Sequence, residues 1–293
     1  MKNNQLKWAI LAGLSFVWGS SFILMKLAMV NLSATQVGAL RMIISALFLL
    51  IFFYPKLKLI DKRQWKMLFY LALAGTFIPT FLFTFAIQHI DSGIVAILNS
   101  FTPLNTLLIG FLFFHYAFSK RQILGIFIGI IGTILLVGKS AQVNPDDNYW
   151  YALLVLSATI GYAINVNVIK KYLSDLDPIS IAVGNFVWVL FPAIIVLYFT
   201  GFFQLNFTPE IYTSLGYVAV LAIIGTALAM IFFNKMVHIA TPIFASSVTY
   251  TIPIIALLWG LWDGEKITMM QVLAGAIILL GVYIVNSQSS KNV

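Results

Sequence analysis

Ten apolar runs, each about twenty residues long and parted by short polar stretches, decide what this 293-residue chain can fold into. About 30 Å of hydrocarbon is crossed by about 20 residues of helix, and backbone that meets no water must bond to itself. Runs near 8–30, 35–54, 65–87, 93–114 and 122–138 precede a polar stretch, 139–148. Runs near 149–169, 179–200, 211–237, 243–262 and 269–285 follow it. The spacing predicts an all-α integral membrane protein of about ten transmembrane helices joined as antiparallel hairpins. Composition agrees, because 61% of residues are hydrophobic and 9% charged, whereas a soluble surface needs roughly 25% charge. The first run exceeds the roughly 7–15 residues of a signal-peptide core and has a counterpart in the second half, so it reads as a span.

The net charge is +8, but the basic residues lie between the apolar runs and form no single patch. They therefore read as topology signals, and nucleic acid is not an expected partner. With the N-terminus placed inside, thirteen of the seventeen Lys and Arg fall on inner segments. Lys26, Lys139 and Lys266 fall outside, with Asp91, Asp146, Asp147, Glu210, Asp263 and Glu265, and Arg41 lies within a span. Under the positive-inside rule both termini are cytoplasmic.

The second half matches the first at a nearly constant offset. Trp18-Gly19 aligns with Tyr162-Ala163 and Lys26 with Lys170 at 144, and Ser33 with Pro178 at 145. Gly75-Thr76 aligns with Gly225-Thr226, Pro103 with Pro253 and Gly110 with Gly260 at 150. Ser119, Gln122 and Gly132 align with Thr268, Gln271 and Gly281 at 149. The expected organisation is a five-helix repeat over 1–138, an extracytoplasmic linker over 139–148 and a second repeat over 149–293. Five is odd, so the second copy is inverted, an arrangement characteristic of secondary transporters with a site near the midplane.

Several motifs then resemble the EamA-type family of the drug/metabolite transporter superfamily. They are Phe16-Val-Trp-Gly-Ser-Ser-Phe22 with Lys26, Gly38-Ala-Leu-Arg41, Leu98-Asn-Ser-Phe-Thr-Pro103, Thr249-Tyr-Thr-Ile-Pro253, and Glu265-Lys-Ile-Thr268 leading to Gly281. The resemblance implies a ten-helix fold with cytoplasmic termini in the cell inner membrane. It also implies export or exchange of amino acids, other metabolites or drugs. The sequence departs from a symmetric pattern where Glu265 aligns with Tyr116 and Arg41 with Phe186.

Pro103 and Pro253 fall about halfway along their runs and free the carbonyls of Asn99 and Thr249. These prolines, with Gly19, are expected kinks, which serve either packing alone or a polar cavity wall of Asn99, Thr102, Thr249 and Tyr250. Arg41, about 12 Å from the outer interface, has either a structural role or a carboxylate to bind. Trp18 and Tyr162 are candidates for the pathway, Asn165 and Asn167 for contacts between helices, and Asn165 also for substrate. Lys26 is expected to snorkel to the interface. The Gly125-x-x-x-Gly129 pattern suggests close packing, with a homodimer through span five or ten as one use.

No cysteine is present, which excludes disulfides and thiolate metal sites. Neither paired carboxylates at depth nor a nucleophile with its base is visible, so no enzyme, cofactor or metal is expected. The leading expectation is a transporter of an uncharged or zwitterionic, amino-acid-like metabolite. Competing expectations are a non-transporting receptor or sensor, and a carrier of drugs or phosphorylated metabolites. The topology has a direct check: alkaline phosphatase fused to the C-terminus should be inactive in intact cells, and an active fusion overturns it.

Overall fold

The computed structural model describes residues 2–115, 119–143, 148–265 and 267–286, and every described element is helical. Nine segments are long and apolar enough to cross a membrane. They are α1 (Gln5–Ala28), α2 (Ala34–Leu59), α3 (Lys62–Ile87), α4 (Ser92–Phe114), α5 (Lys120–Lys139), α6 (Tyr149–Tyr172), α7 (Pro178–Phe199), α8 (Pro209–Ile239) and α9 (Phe244–Trp262). The tenth, α10 (Met269–Asn286), holds a shorter apolar stretch, Met269–Gly281. The chain is thus a multi-pass membrane protein with the predicted spans. The linker residues Pro145, Asp146 and Asp147, like Tyr116 and Lys266, lie outside the described residues.

Several helix starts are fixed by side chains that answer the open amides of the first turn. Ser33 and Gln36 form a reciprocal capping box at α2, and Asp61 and Gln64 do the same at α3. Ser119 and Gln122 exchange bonds of 2.8 and 3.3 Å at α5, as Thr268 and Gln271 do at α10 with 2.7 and 3.4 Å. The Ser119/Thr268 and Gln122/Gln271 sequence matches are therefore matched helix caps. Asp177 starts α7 by accepting the Ser180 N–H and pairs with Lys56 at 3.3 Å. Burial would raise its carboxyl, but the Ser180 N–H and the Lys56 ammonium together hold it below the ordinary value.

The packing crosses between halves. Helix α1 lies against α8, α9 and the start of α4, while α6 lies against α3 and α4. Helix α2 packs on α7. Helices α5 and α10 form a pair at the side of the bundle, with Ile123, Phe127, Ile134, Leu273, Leu280 and Tyr283 facing outward. The expected Gly pattern explains this pair: a Cβ on Gly281 would sit 2.6 Å from both Gly125 O and Gly129 N. The small-residue face offered by the sequence to a second copy is covered by α10 of the same chain.

Gly19 departs from expectation. It lies inside an unbroken helix, and its missing Cβ makes room for Ile255 of α9. It is a close-packing position, not a kink. The α5–α10 contact predicts that Gly281→Ala lowers detergent stability by about 1–3 kcal/mol, because overpacking pushes two backbones apart. Gly13→Ala, where nothing lies within 4 Å, should change it little. Thermal unfolding of the two purified variants makes the comparison.

Candidate functional site

Four spans lose regular helix near their middle. Span α3 contains a π-helical segment, Leu73–Phe77, and α8 contains another, Ile223–Leu228. Span α4 stops at Asn99 and restarts at Thr102, with Pro103 in the first turn of the new helix. In α9 a 3-10 turn, Ser247–Tyr250, leads to a helix that starts at Ile252 with Pro253 in its first turn. The two prolines therefore open new helices instead of kinking continuous ones, a placement that their missing N–H favours.

The interruptions surround one cavity of about 110 Å³, room for several waters. Its polar wall includes Arg41, Asn99, Thr102, Tyr162, Asn165 and Thr249, together with Thr76 and Thr226 of the two π segments. Trp18, Phe22, Phe83 and Phe233 supply much of the rest. Seven of the eight residues expected at a substrate site thus line a common space. Tyr250 does not; it packs against the apolar cluster containing Ile252 and Ala256.

The carbonyls freed at α4 and α9 are already engaged. Thr102 Oγ1 donates to Asn99 O at 2.7 Å, and Ser100 Oγ donates to Thr249 O at 2.9 Å. Hydroxyls close at hand satisfy the broken backbone, as membrane depth demands.

The π segments are held from the opposite half of the chain. Trp18 Nε1 donates to Gly225 O at 3.0 Å, and Asn165 Nδ2 donates to Gly75 O at 3.3 Å. Arg41 Nε donates to Thr226 Oγ1 at 2.6 Å, and Asn185 Nδ2 donates to Thr76 Oγ1 at 3.0 Å. Asn185 therefore occupies the place opposite Arg41, where the sequence alignment puts Phe186. The helix caps agree, since Ser33 and Asp177 begin α2 and α7 at an offset of 144. Sequence reasoning missed Asn185 by one residue, and used the two Gly-Thr pairs as alignment marks without seeing that they build the wall.

Beyond Thr226, the recorded partner of the guanidinium is Met25 Sδ, 3.7 Å from Nη1. Neither Nη atom has an oxygen acceptor among the described residues. Asn165 is 3% exposed, and its Oδ1 has no partner among them. Tyr162 stacks on Phe83 at 5.6 Å and 16°, and Trp18 leans on Phe233 at 5.2 Å. Asn167 proves to be a contact between helices, donating to Thr106 O of α4 at 3.0 Å.

Two charged residues near span ends are paired. The Lys26 ammonium lies 2.6 Å from Asp263 and 3.0 Å from Glu265. The Glu265 side chain is 1% exposed, although its sequence position suggests a span end.

A bundle of spanning helices, broken around a polar cavity with carbonyls at the breaks bonded by side chains, has the build of a membrane transporter. The chain belongs to the EamA-like transporter family, whose model matches residues 6–138 and again 149–287. It is similar to an uncharacterised transporter of Archaeoglobus fulgidus, 25% identical over 95% of this chain and 98% of that one. It is also similar to the inner membrane transporter YedA of Escherichia coli K12, 25% identical over 94% and 89%, and to YoaV of Bacillus subtilis, 23% identical over 92% of each. A crystal structure with 14% identity superposes with a TM-score of 0.67 over 95% of both chains and shares the fold.

The cross-half bonds make unequal demands. Thr226→Val removes the oxygen partner of a buried charge, and should lower detergent stability by about 1.5–3 kcal/mol. Thr76→Val removes a bond between neutral groups and should cost about 0.5–1.5 kcal/mol. Melting curves for both variants test the ranking.

Proposed function

We propose that the protein is a secondary transporter carrying a small, amino-acid-like metabolite by alternating access between two inverted halves. On this reading 1–138 and 149–293 are the halves, 139–148 joins them outside, and both termini lie in the cytoplasm of a cell whose inner membrane holds the protein. The double family match and the mirrored contacts of the π segments support the inverted arrangement. Two similar scaffolds facing opposite ways give two conformations of similar energy, one open to each side.

The observation that carries the substrate class is Arg41. An arginine within a membrane span is costly to keep, and the two Nη groups here have no oxygen partner among the described residues. A substrate carboxylate would fill that gap, since the planar fork of Arg bonds both oxygens. Asn165 Oδ1, buried and unanswered in the same wall, is the natural acceptor for the substrate's ammonium. The Asn99 and Thr249 carbonyls are less suited to that role, because hydroxyls already donate to them. A phosphorylated metabolite would want several cations, and among the described residues Arg41 is the one charged residue lining the cavity.

Arg41→Lys keeps the charge and loses the fork. Binding to the purified variant should weaken about tenfold or more for an amino acid and much less for its amide. Equal losses for both ligands would leave Arg41 as scaffold and defeat the assignment. Flux of the amino acid into liposomes holding the unaltered protein tests transport itself.

A further inference from the structure

A second charged cluster, none of whose members lines the cavity, lies at the end of α1 opposite the N-terminus. Three separate parts of the chain meet there: the last turn of α1 through Lys26, the start of α4 through Ser92 and Gly93, and the α9–α10 turn through Asp263 and Glu265. Glu265 Oε1 accepts from Lys26 Nζ at 3.0 Å, from Ser92 N at 3.1 Å and from Ser92 Oγ at 2.6 Å. Its Oε2 accepts from Gly93 N at 3.1 Å. The carboxylate thus caps the open amides of a helix start belonging to another span, where negative charge is favoured.

The surroundings are shaped to receive it. A Cβ on Gly260 would lie 2.5 Å from Glu265 Oε2, and one on Gly93 would lie 3.3 Å from it. Gly264, at φ 87°, turns the chain so that both Asp263 and Glu265 reach Lys26. One ammonium, two amides and a hydroxyl therefore surround the carboxylate with donors and tie three parts of the chain together. Phe22, Met25, Ile94, Leu98 and Ile252 belong to one buried apolar cluster, and Phe22, Met25 and Ile252 also line the cavity.

The opposite end is fastened differently. Lys170, which aligns with Lys26, donates to Val237 O at 3.2 Å and Ala240 O at 2.9 Å and makes no ion pair among the described residues. One end of the bundle is tied by charge and the other by neutral carbonyls.

We propose that Lys26, Asp263 and Glu265 form the outer gate of the transporter, an ionic latch that must part before the cavity opens outward. Its strength beside the neutral tie at Lys170 biases the empty protein toward the outward-closed state. This rests on alternating access, but it concerns access and not binding, so its test needs no substrate. The chain contains no cysteine, which makes Ser21→Cys, in the cavity wall, a clean reporter. Its labelling by a membrane-impermeant thiol reagent would be followed in right-side-out and inside-out vesicles.

Adding Glu265→Gln should raise labelling from outside about tenfold or more and lower it from inside. Asp263→Asn, at a more exposed position, should act in the same direction by a smaller factor, and decides the matter if Glu265→Gln fails to fold. Unchanged labelling in both variants, in a protein that does label from one face, overturns the gate and leaves alternating access standing. Labelling from neither face in any variant overturns both.

Discussion

A carbonyl released inside a membrane has no water to turn to, and the centre of this protein is organised by that constraint. Its four interrupted spans each release backbone groups at depth, where an unanswered one costs several kcal/mol. Two different solutions appear. At the breaks of α4 and α9 the answer is a neighbouring hydroxyl, from Thr102 and Ser100. At the π segments of α3 and α8 it is a side chain from the other half of the chain, Asn165 on Gly75 and Trp18 on Gly225. The second solution makes the two halves depend on each other at the place where both are least regular. Irregular helix is thereby fixed without being made rigid through regular hydrogen bonding, and π segments recur at functional sites for related reasons.

The same geometry explains why the cavity is polarised. Arg41 and Asn185 face the Thr226 and Thr76 hydroxyls in mirrored positions, yet one is a cation and the other a neutral amide. Likewise Asn165 stands against Gly75 where Ser21 stands against Gly225. A symmetric scaffold with unlike residues at equivalent points has a donor end and an acceptor end, and so can orient a substrate whose own ends differ. On the proposed mechanism, symmetry would serve the conformational exchange and its local breaking would serve recognition.

Much of this was legible in the sequence because it follows from short-range physics. Span length is set by hydrocarbon thickness, and the capping pairs Ser119/Gln122 and Thr268/Gln271 sit at fixed local spacing. The cavity residues Arg41, Asn99, Thr102, Thr249, Trp18, Tyr162 and Asn165 were visible as polar or aromatic exceptions on apolar runs. What stayed hidden depends on contacts distant in sequence. Tyr250 shares the polar neighbourhood of Thr249 along the chain, but the 3-10 turn carries it off the wall. Gly19 gave no sign that its lost Cβ belongs to Ile255. Glu265 looked like a surface acid because its burial comes from Ser92, Gly93 and Lys26, more than 170 residues away. The Arg41 counterpart was missed by one position, since only the cap at Asp177 fixes where α7 begins.

Two buried apolar clusters pack beside the cavity, one including Phe22, Ile94, Leu98 and Ile252 and the other Leu11, Leu14, Ile169, Val237 and Val248. Within a bilayer such clusters gain little from excluding water, because lipid is as apolar as they are, so helix association leans on packing and on polar ties. Close packing comes from the glycines that let helices touch, as at Gly161, where a Cβ would strike Ala74 O. Polar ties join helices at the ends of α1 and α6 and at the π segments, and also at points such as Ser100 on Thr249 and Asn167 on Thr106. A bundle held by specific bonds between well-packed but weakly cohesive helices can exchange one set of end contacts for another at modest cost, which is what the proposed carrier with a central site would require.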